Sequence, residues 1–80
     1  RFYDAQLLLG EALIAAKDYL TADISFQSVA GAPWPDTQMA GKIGLARSAL
    51  GRGEVDPART LFDEVVAMKS ETPIQSTRRM

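Results

Sequence analysis

The 80-residue sequence contains no cysteine and no histidine. Without these side chains the chain cannot form disulfides, offer a thiolate nucleophile, build zinc sites of the usual ligand types or use imidazole for acid-base catalysis. We therefore expect no catalytic residue, no metal site and no cofactor, and we predict that the protein is not an enzyme.

The sequence also lacks an excess of either charge and any long apolar run. Nine basic and ten acidic residues leave a net charge of −1, which argues against a nucleic-acid binder that works by neutralising phosphates. The apolar runs fall far short of the roughly 20 residues that cross a bilayer, so we expect no membrane span in this segment.

Nothing in the sequence identifies the compartment. No signal peptide is visible, but the chain begins at Arg1 rather than methionine, so we expect a processed or excised segment whose missing targeting sequence is uninformative. A chain without cysteine suits the periplasm, which we prefer, as well as the cytoplasm.

What the sequence does contain is helical periodicity. Apolar residues recur at spacings of three and four, and no stretch alternates as a strand would. This predicts an all-α protein with helices at about 3–16, 19–30, 36–50 and 57–69 and a fifth beginning at Pro73. The stripes are Leu9, Leu13 and Ala16, then Ala22, Phe26 and Val29, then Ala58, Leu61, Phe62 and Val65.

Helix punctuation supports these bounds. Asp36 after Pro35 and Asp56 before Pro57 are predicted N-caps, and Thr72 with Gln75 matches a capping box. The glycine-rich stretch 51–53 is predicted to end the third helix, and the segment 31–36 to connect two units.

The sequence repeats itself at an offset of 36 residues. The identical pairs are Leu9 and Leu45, Ala22 and Ala58, Phe26 and Phe62, and Val29 and Val65. Gly10 meets Ala46 at the same offset, so a small residue is kept there. The helix caps also recur at about this spacing, which indicates two copies of one helical hairpin.

This pattern resembles the tetratricopeptide repeat, a helix hairpin of about 34 residues, in the degenerate form typical of bacterial proteins. In that family a Leu-Gly pair is followed by an alanine twelve positions after the glycine, and then by an aromatic four positions later. Leu9, Gly10, Ala22 and Phe26 match these places, as do Leu45, Ala46, Ala58 and Phe62. The small residues would let paired helices approach closely, and the phenyl rings would fill the space between hairpins.

The resemblance implies a right-handed α-solenoid with hairpins at 1–35 and 36–71 and a third helix or capping helix at 72–80. The sequence departs from the family where Gln6 and Lys42 replace an aromatic and where Trp34 and Ser70 replace a proline. A generic four-helix bundle is the alternative fold. Solenoids generally need about three repeats or polar caps, so two hairpins leave end faces uncovered.

The family's first helices line a concave groove that holds a partner peptide, and the resemblance carries this role to the matching positions. The groove would be lined by Asp4, Leu7, Glu11, Ile14, Ala40, Ile43, Arg47, Leu50, Ser76 and Arg79. Its arginines would pair with a ligand carboxylate. In the alternative interpretation the aliphatic residues are core and Arg47 pairs with Glu11 across the groove.

We therefore expect a non-catalytic scaffold that binds a protein or peptide partner in this groove. The alternatives are an architectural segment of a larger bacterial envelope or exopolysaccharide-export protein, and self-association through uncovered repeat faces. Trp34 is expected to clamp adjacent units rather than anchor a partner. The carboxylates of Asp18, Asp23, Asp56, Asp63 and Glu64 are expected to be solvated surface rather than a catalytic or metal site.

Overall fold

The computed structural model describes residues 2–70, which form four helices and no strand. The helices are α1 (Phe2–Ala15), α2 (Tyr19–Ala30), α3 (Pro35–Gly51) and α4 (Val55–Ser70). The prediction of an all-α chain is confirmed, and the four predicted helices agree with the observed ones to within two residues at each end. The fifth helix expected from Pro73 and the capping box at Thr72 lie outside the described residues.

The α1–α2 and α3–α4 turns share one hydrogen-bonding pattern. Lys17, with φ 64°, and Gly53, with φ 80°, occupy the left-handed region after the last helical turn. Their N–H groups donate to the carbonyls of Ile14 and Leu50, each at 2.9 Å. The next N–H in each turn donates to the carbonyl five residues earlier, at 2.8 Å in both. Both turns are therefore Schellman motifs, and they lie 36 residues apart, at the offset of the sequence repeat.

The start of α3 differs from the prediction. The helix begins at Pro35, so Trp34 is the N-cap and forms no side-chain capping bond, while Asp36 lies in the first turn. The prediction that Asp36 caps this helix was wrong. Proline is favoured at the first helical position because it has no N–H to leave unsatisfied, and the Trp34 carbonyl already accepts the N–H of Gln38 at 2.9 Å.

The start of α4 also lies earlier than predicted. The Ala58 N–H donates to the Glu54 carbonyl at 3.4 Å, so the helix begins at Val55 and Asp56 falls in its first turn rather than at its cap. An acidic side chain in the first turn still interacts favourably with the helix dipole. A side-chain cap is present at α2, where Asp18 accepts the N–H of Thr21 at 3.5 Å.

Small residues lie at the predicted contact positions. Gly10 and Ala22 are buried between α1 and α2, and Ala46 and Ala58 are buried in the second hairpin. Phe62 is half-buried against the cluster that contains Ala46 and Ala58. Both hairpins thus bury a small residue from each helix, as the resemblance implied.

Phe26 joins the two hairpins. Its side chain is 1% exposed, and its ring lies where side chains on Gly10 of α1 and Gly44 of α3 would otherwise project. A Cβ on Gly10 would lie 2.6 Å from the ring's Cζ, which real Cβ atoms essentially never do. Three helices therefore meet around one phenyl ring, whose full burial contributes about 1.5–3 kcal/mol.

The antiparallel α2–α3 contact continues along both helices. Gly41 lies against the backbone of Ala30 near one end, and Gly51 lies against the Tyr19 ring near the other. The buried Ser48 hydroxyl donates to the Tyr19 carbonyl at 3.2 Å. Because α3 presents glycine or serine along this face, its backbone approaches α2 closely.

The outer face of α1 is not covered by another described element. Phe2, Leu8 and Leu9 are 62%, 69% and 48% exposed, and Ala16 is exposed as well. The stripe of Leu9, Leu13 and Ala16 is therefore only partly buried, because α2 and α3 pack on the opposite side of α1. The 36-residue counterpart of Leu9, Leu45, is half-buried.

Candidate interaction surface

The predicted groove residues of the first two units lie on neighbouring helices, because α1 and α3 contact each other directly. Two side-chain pairs join these helices. The rings of Tyr3 and Trp34 meet at the N-terminal end of α1, with centroids 6.0 Å apart. Arg47 and Glu11 pair about two turns further along, at 3.8 Å. An aromatic pair and an ion pair thus bridge the surface between these helices at two points along its length.

The apolar groove residues differ in exposure between the two helices. Leu7 and Ile14 of α1 are half-buried, whereas Ile43 and Leu50 of α3 are 39% and 47% exposed. The two α1 residues therefore serve partly as core, as the alternative interpretation expected. The two α3 residues leave apolar area open on the surface. Ala40 is half-buried, and Ser76 and Arg79 lie outside the described residues.

The pair of Arg47 and Glu11 matches the alternative prediction for Arg47. Both side chains are about half exposed, at 49% and 52%, and the 3.8 Å separation is longer than a hydrogen bond. Exposed ion pairs of this kind contribute about 0–1 kcal/mol. An incoming carboxylate can therefore compete for Arg47 at little cost.

A pocket of about 280 Å³ lies at the Tyr3 end of this surface. It is lined by Tyr3, Asp4, Trp34 and Thr37, so it includes one of the predicted groove residues. The connector positions Trp34 here, because Ala32 is buried and its carbonyl accepts the side-chain amide of Gln38 at 2.6 Å.

Trp34 has the contact expected of a clamp, and it also remains accessible. Its ring packs edge-on against Tyr3, yet the residue is 57% exposed. Sequence reasoning considered Trp34 but missed Tyr3 and Thr37. The positions of Tyr3 and Trp34 are 31 apart and follow no repeat spacing, so only the path of the connector brings them together.

The acidic residues between positions 2 and 70 do not form a metal-binding cluster. Asp18 caps α2, Asp23 pairs with Arg52 at 2.5 Å, and Glu64 pairs with Lys42 at 2.9 Å. Among residues 2–70, no group of three or more metal-ligating side chains lies close enough together to hold a metal ion. These carboxylates instead connect helices and stabilise helix ends.

Comparison of the chain with family models, with curated proteins and with solved structures found no match. Within residues 2–70 no helix is long and apolar enough to cross a membrane. The surface chemistry of α1 and α3 therefore carries the functional inference.

Proposed function

We propose that this chain is a non-catalytic scaffold of the tetratricopeptide type, whose α1 and α3 hold a segment of a partner protein. The observation that carries the proposal is the pair of exposed aliphatic side chains, Ile43 and Leu50, on the helix next to α1. Protein interfaces typically place such apolar groups at the centre of a polar rim. Asp4, Glu11 and Arg47 would supply that rim.

The packing beneath this surface supports the proposal. Phe26 and the glycines of α3 lock α1, α2 and α3 together, so the two groove helices have little freedom to separate. A rigid surface loses less conformational entropy when a ligand binds, which increases affinity. We further propose that the hairpins stack with the right-handed twist of the family.

A displayed library of random peptides, selected against the chain, tests this function. We expect enriched peptides whose binding is abolished by Ile43→Lys, because the substitution places a charge in the apolar centre of the groove. Ile24→Lys is the matched control, since Ile24 is 69% exposed on α2, a helix that contributes no predicted groove residue. Enriched peptides that bind the Ile43→Lys variant as tightly as they bind the parent chain would contradict the proposed groove.

Self-association is the second candidate, favoured by the exposed apolar face of α1. Phe2, Leu8 and Leu9 are all exposed on this helix, and exposed apolar surface of this kind is typical of interaction sites. Sedimentation distinguishes the two functions. A dimer that Leu8→Lys converts to a monomer, together with no enriched peptide, would favour self-assembly over a groove ligand.

A further inference from the structure

We propose that the pocket formed by Tyr3, Asp4, Trp34 and Thr37 binds a lysine or arginine side chain of the partner segment. This inference rests on the proposed function, and it names the chemistry that one part of the groove would recognise. The pocket belongs to the groove because Asp4 lies on α1 and Thr37 on α3.

The aromatic walls of the pocket suit a cation. The Tyr3 and Trp34 rings are nearly perpendicular, at 80° with centroids 6.0 Å apart. Phe2 also packs edge-on against Tyr3, at 5.1 Å and 75°. Trp34 is 57% exposed, which leaves ring surface open to a ligand. The face of a tryptophan or tyrosine ring carries the negative part of its quadrupole and attracts ammonium and guanidinium groups.

The charge of the pocket also favours a basic ligand. Asp4 is the one ionisable carboxylate among the four lining residues, and none of the four is basic. Within residues 2–70 no lysine or arginine forms an ion pair with Asp4, whereas Glu11 already pairs with Arg47. An apolar ligand would desolvate the Asp4 carboxylate without compensation, and an anionic ligand would be repelled. A basic side chain would interact favourably with both the aromatic rings and the Asp4 carboxylate.

The pocket is small enough for a single side chain to fill it. Its volume of about 280 Å³ is just below the range of roughly 300–1,000 Å³ that is typical of small-molecule sites. Arginine is the better occupant of the two, because a planar guanidinium can stack on Trp34 while it donates to Asp4 and the Thr37 hydroxyl.

Titration with capped tripeptides tests the pocket directly. The probes are acetyl-Gly-Arg-Gly-amide, its lysine analogue and its glutamine analogue, and the readout is the indole N–H signal of Trp34 by NMR. This signal is unambiguous because the chain has one tryptophan. We expect saturable shifts with the arginine and lysine peptides and much weaker binding of the uncharged glutamine peptide.

Two substitutions with the same charge change localise the effect. Asp4→Asn is expected to weaken binding of the arginine peptide about three- to tenfold, as loss of a close opposite charge requires. Asp63→Asn, at an exposed position on α4, is expected to leave binding unchanged. Unchanged far-UV circular dichroism would show that both variants are folded. Equal binding of the glutamine and arginine peptides, or equal binding by the two variants, would overturn the inference.

The outcomes separate this inference from the proposed function. Library peptides that need Ile43, combined with tripeptides that leave Trp34 unmoved, would refute the cation pocket alone. Basic tripeptides that bind at Trp34, combined with no library peptide that needs Ile43, would refute the groove alone.

Discussion

At the scale of single residues, the two hairpin turns hold different residue types in the same left-handed backbone conformation. Gly53 adopts φ 80° without steric cost, but Lys17 adopts φ 64° with a Cβ. The left-handed region costs a residue other than glycine about 1–2 kcal/mol. The first turn is therefore strained where the second is not, although both make the same hydrogen bonds.

Exchanging the residue types should shift stability in opposite directions. Lys17→Gly is expected to raise the free energy of unfolding by about 0.5–1 kcal/mol, since relief of strain exceeds the added entropy of the unfolded chain. Gly53→Ala is expected to lower it by about 1 kcal/mol. Urea unfolding followed by circular dichroism measures both. A Lys17→Gly variant less stable than the parent would contradict the strain at this turn.

Small residues were the most predictable feature at this scale, and caps were the least. The resemblance to the tetratricopeptide repeat placed Gly10 and Ala22 at a close helix contact, where few side chains are tolerated, and both are buried. Asp36 and Asp56 carry good capping side chains, yet each lies inside its helix. Proline at the first helical position starts α3 before Asp36, and the Glu54 carbonyl starts α4 before Asp56. Sequence propensity does not rank such competing helix starts.

At the scale of helices, two of the ion pairs that join neighbouring elements lie in different environments. Arg52 binds Asp23 across α2 and α3, and these side chains are only 27% and 18% exposed. The second oxygen of Asp23 is buried without a hydrogen-bond partner among the described residues. Arg47 and Glu11 join α1 and α3 at 3.8 Å while about half exposed. We therefore expect the first pair to matter more for stability.

Removing each arginine compares the two pairs. Arg52→Met is expected to lower the free energy of unfolding by about 1–3 kcal/mol, because it leaves a largely buried carboxylate without its cation. Arg47→Met is expected to lower it by less than about 0.5 kcal/mol, because water already solvates that pair. Chemical denaturation measures both variants. Equal losses would show that burial does not distinguish these contacts.

Helix positions were predictable, but the environment of each face was not. Periodicity identified four helices because apolar spacing and turn residues agree along the chain. The same periodicity could not show that Leu9 would be exposed while its counterpart Leu45 is half-buried. That difference depends on which helix packs alongside. The helix α2 packs against α3, whereas no described helix covers the outer face of α1.

At the scale of the whole molecule, the repeat appears in backbone geometry as well as in sequence. The Schellman turns and the buried small residues recur at 36 residues, while the uncovered faces mark the ends of the described hairpins. The sequence predicted the four helices, whereas the groove along α1 and α3 stays a prediction. The cation pocket could not be predicted, because Tyr3 and Trp34 meet only through the path of the connector.

The central structural claim is that Phe26, seated against glycines of two other helices, fixes the two hairpins into one unit. The measurement that tests it most directly is a double-mutant cycle of Gly44→Ala and Phe26→Leu in urea unfolding. A Cβ on Gly44 would overlap the Phe26 ring, so Gly44→Ala is expected to cost about 1–3 kcal/mol despite the higher helix propensity of alanine.

In the Gly44→Ala background, Phe26→Leu should cost little or even restore stability, which gives a coupling energy of about 1 kcal/mol or more. Gly31→Ala is the control, because its Cβ would have no neighbour closer than 3.6 Å and its effect should add independently to that of Phe26→Leu. Additive losses for Gly44→Ala and Phe26→Leu would show that the ring does not seat on α3, and would contradict the account.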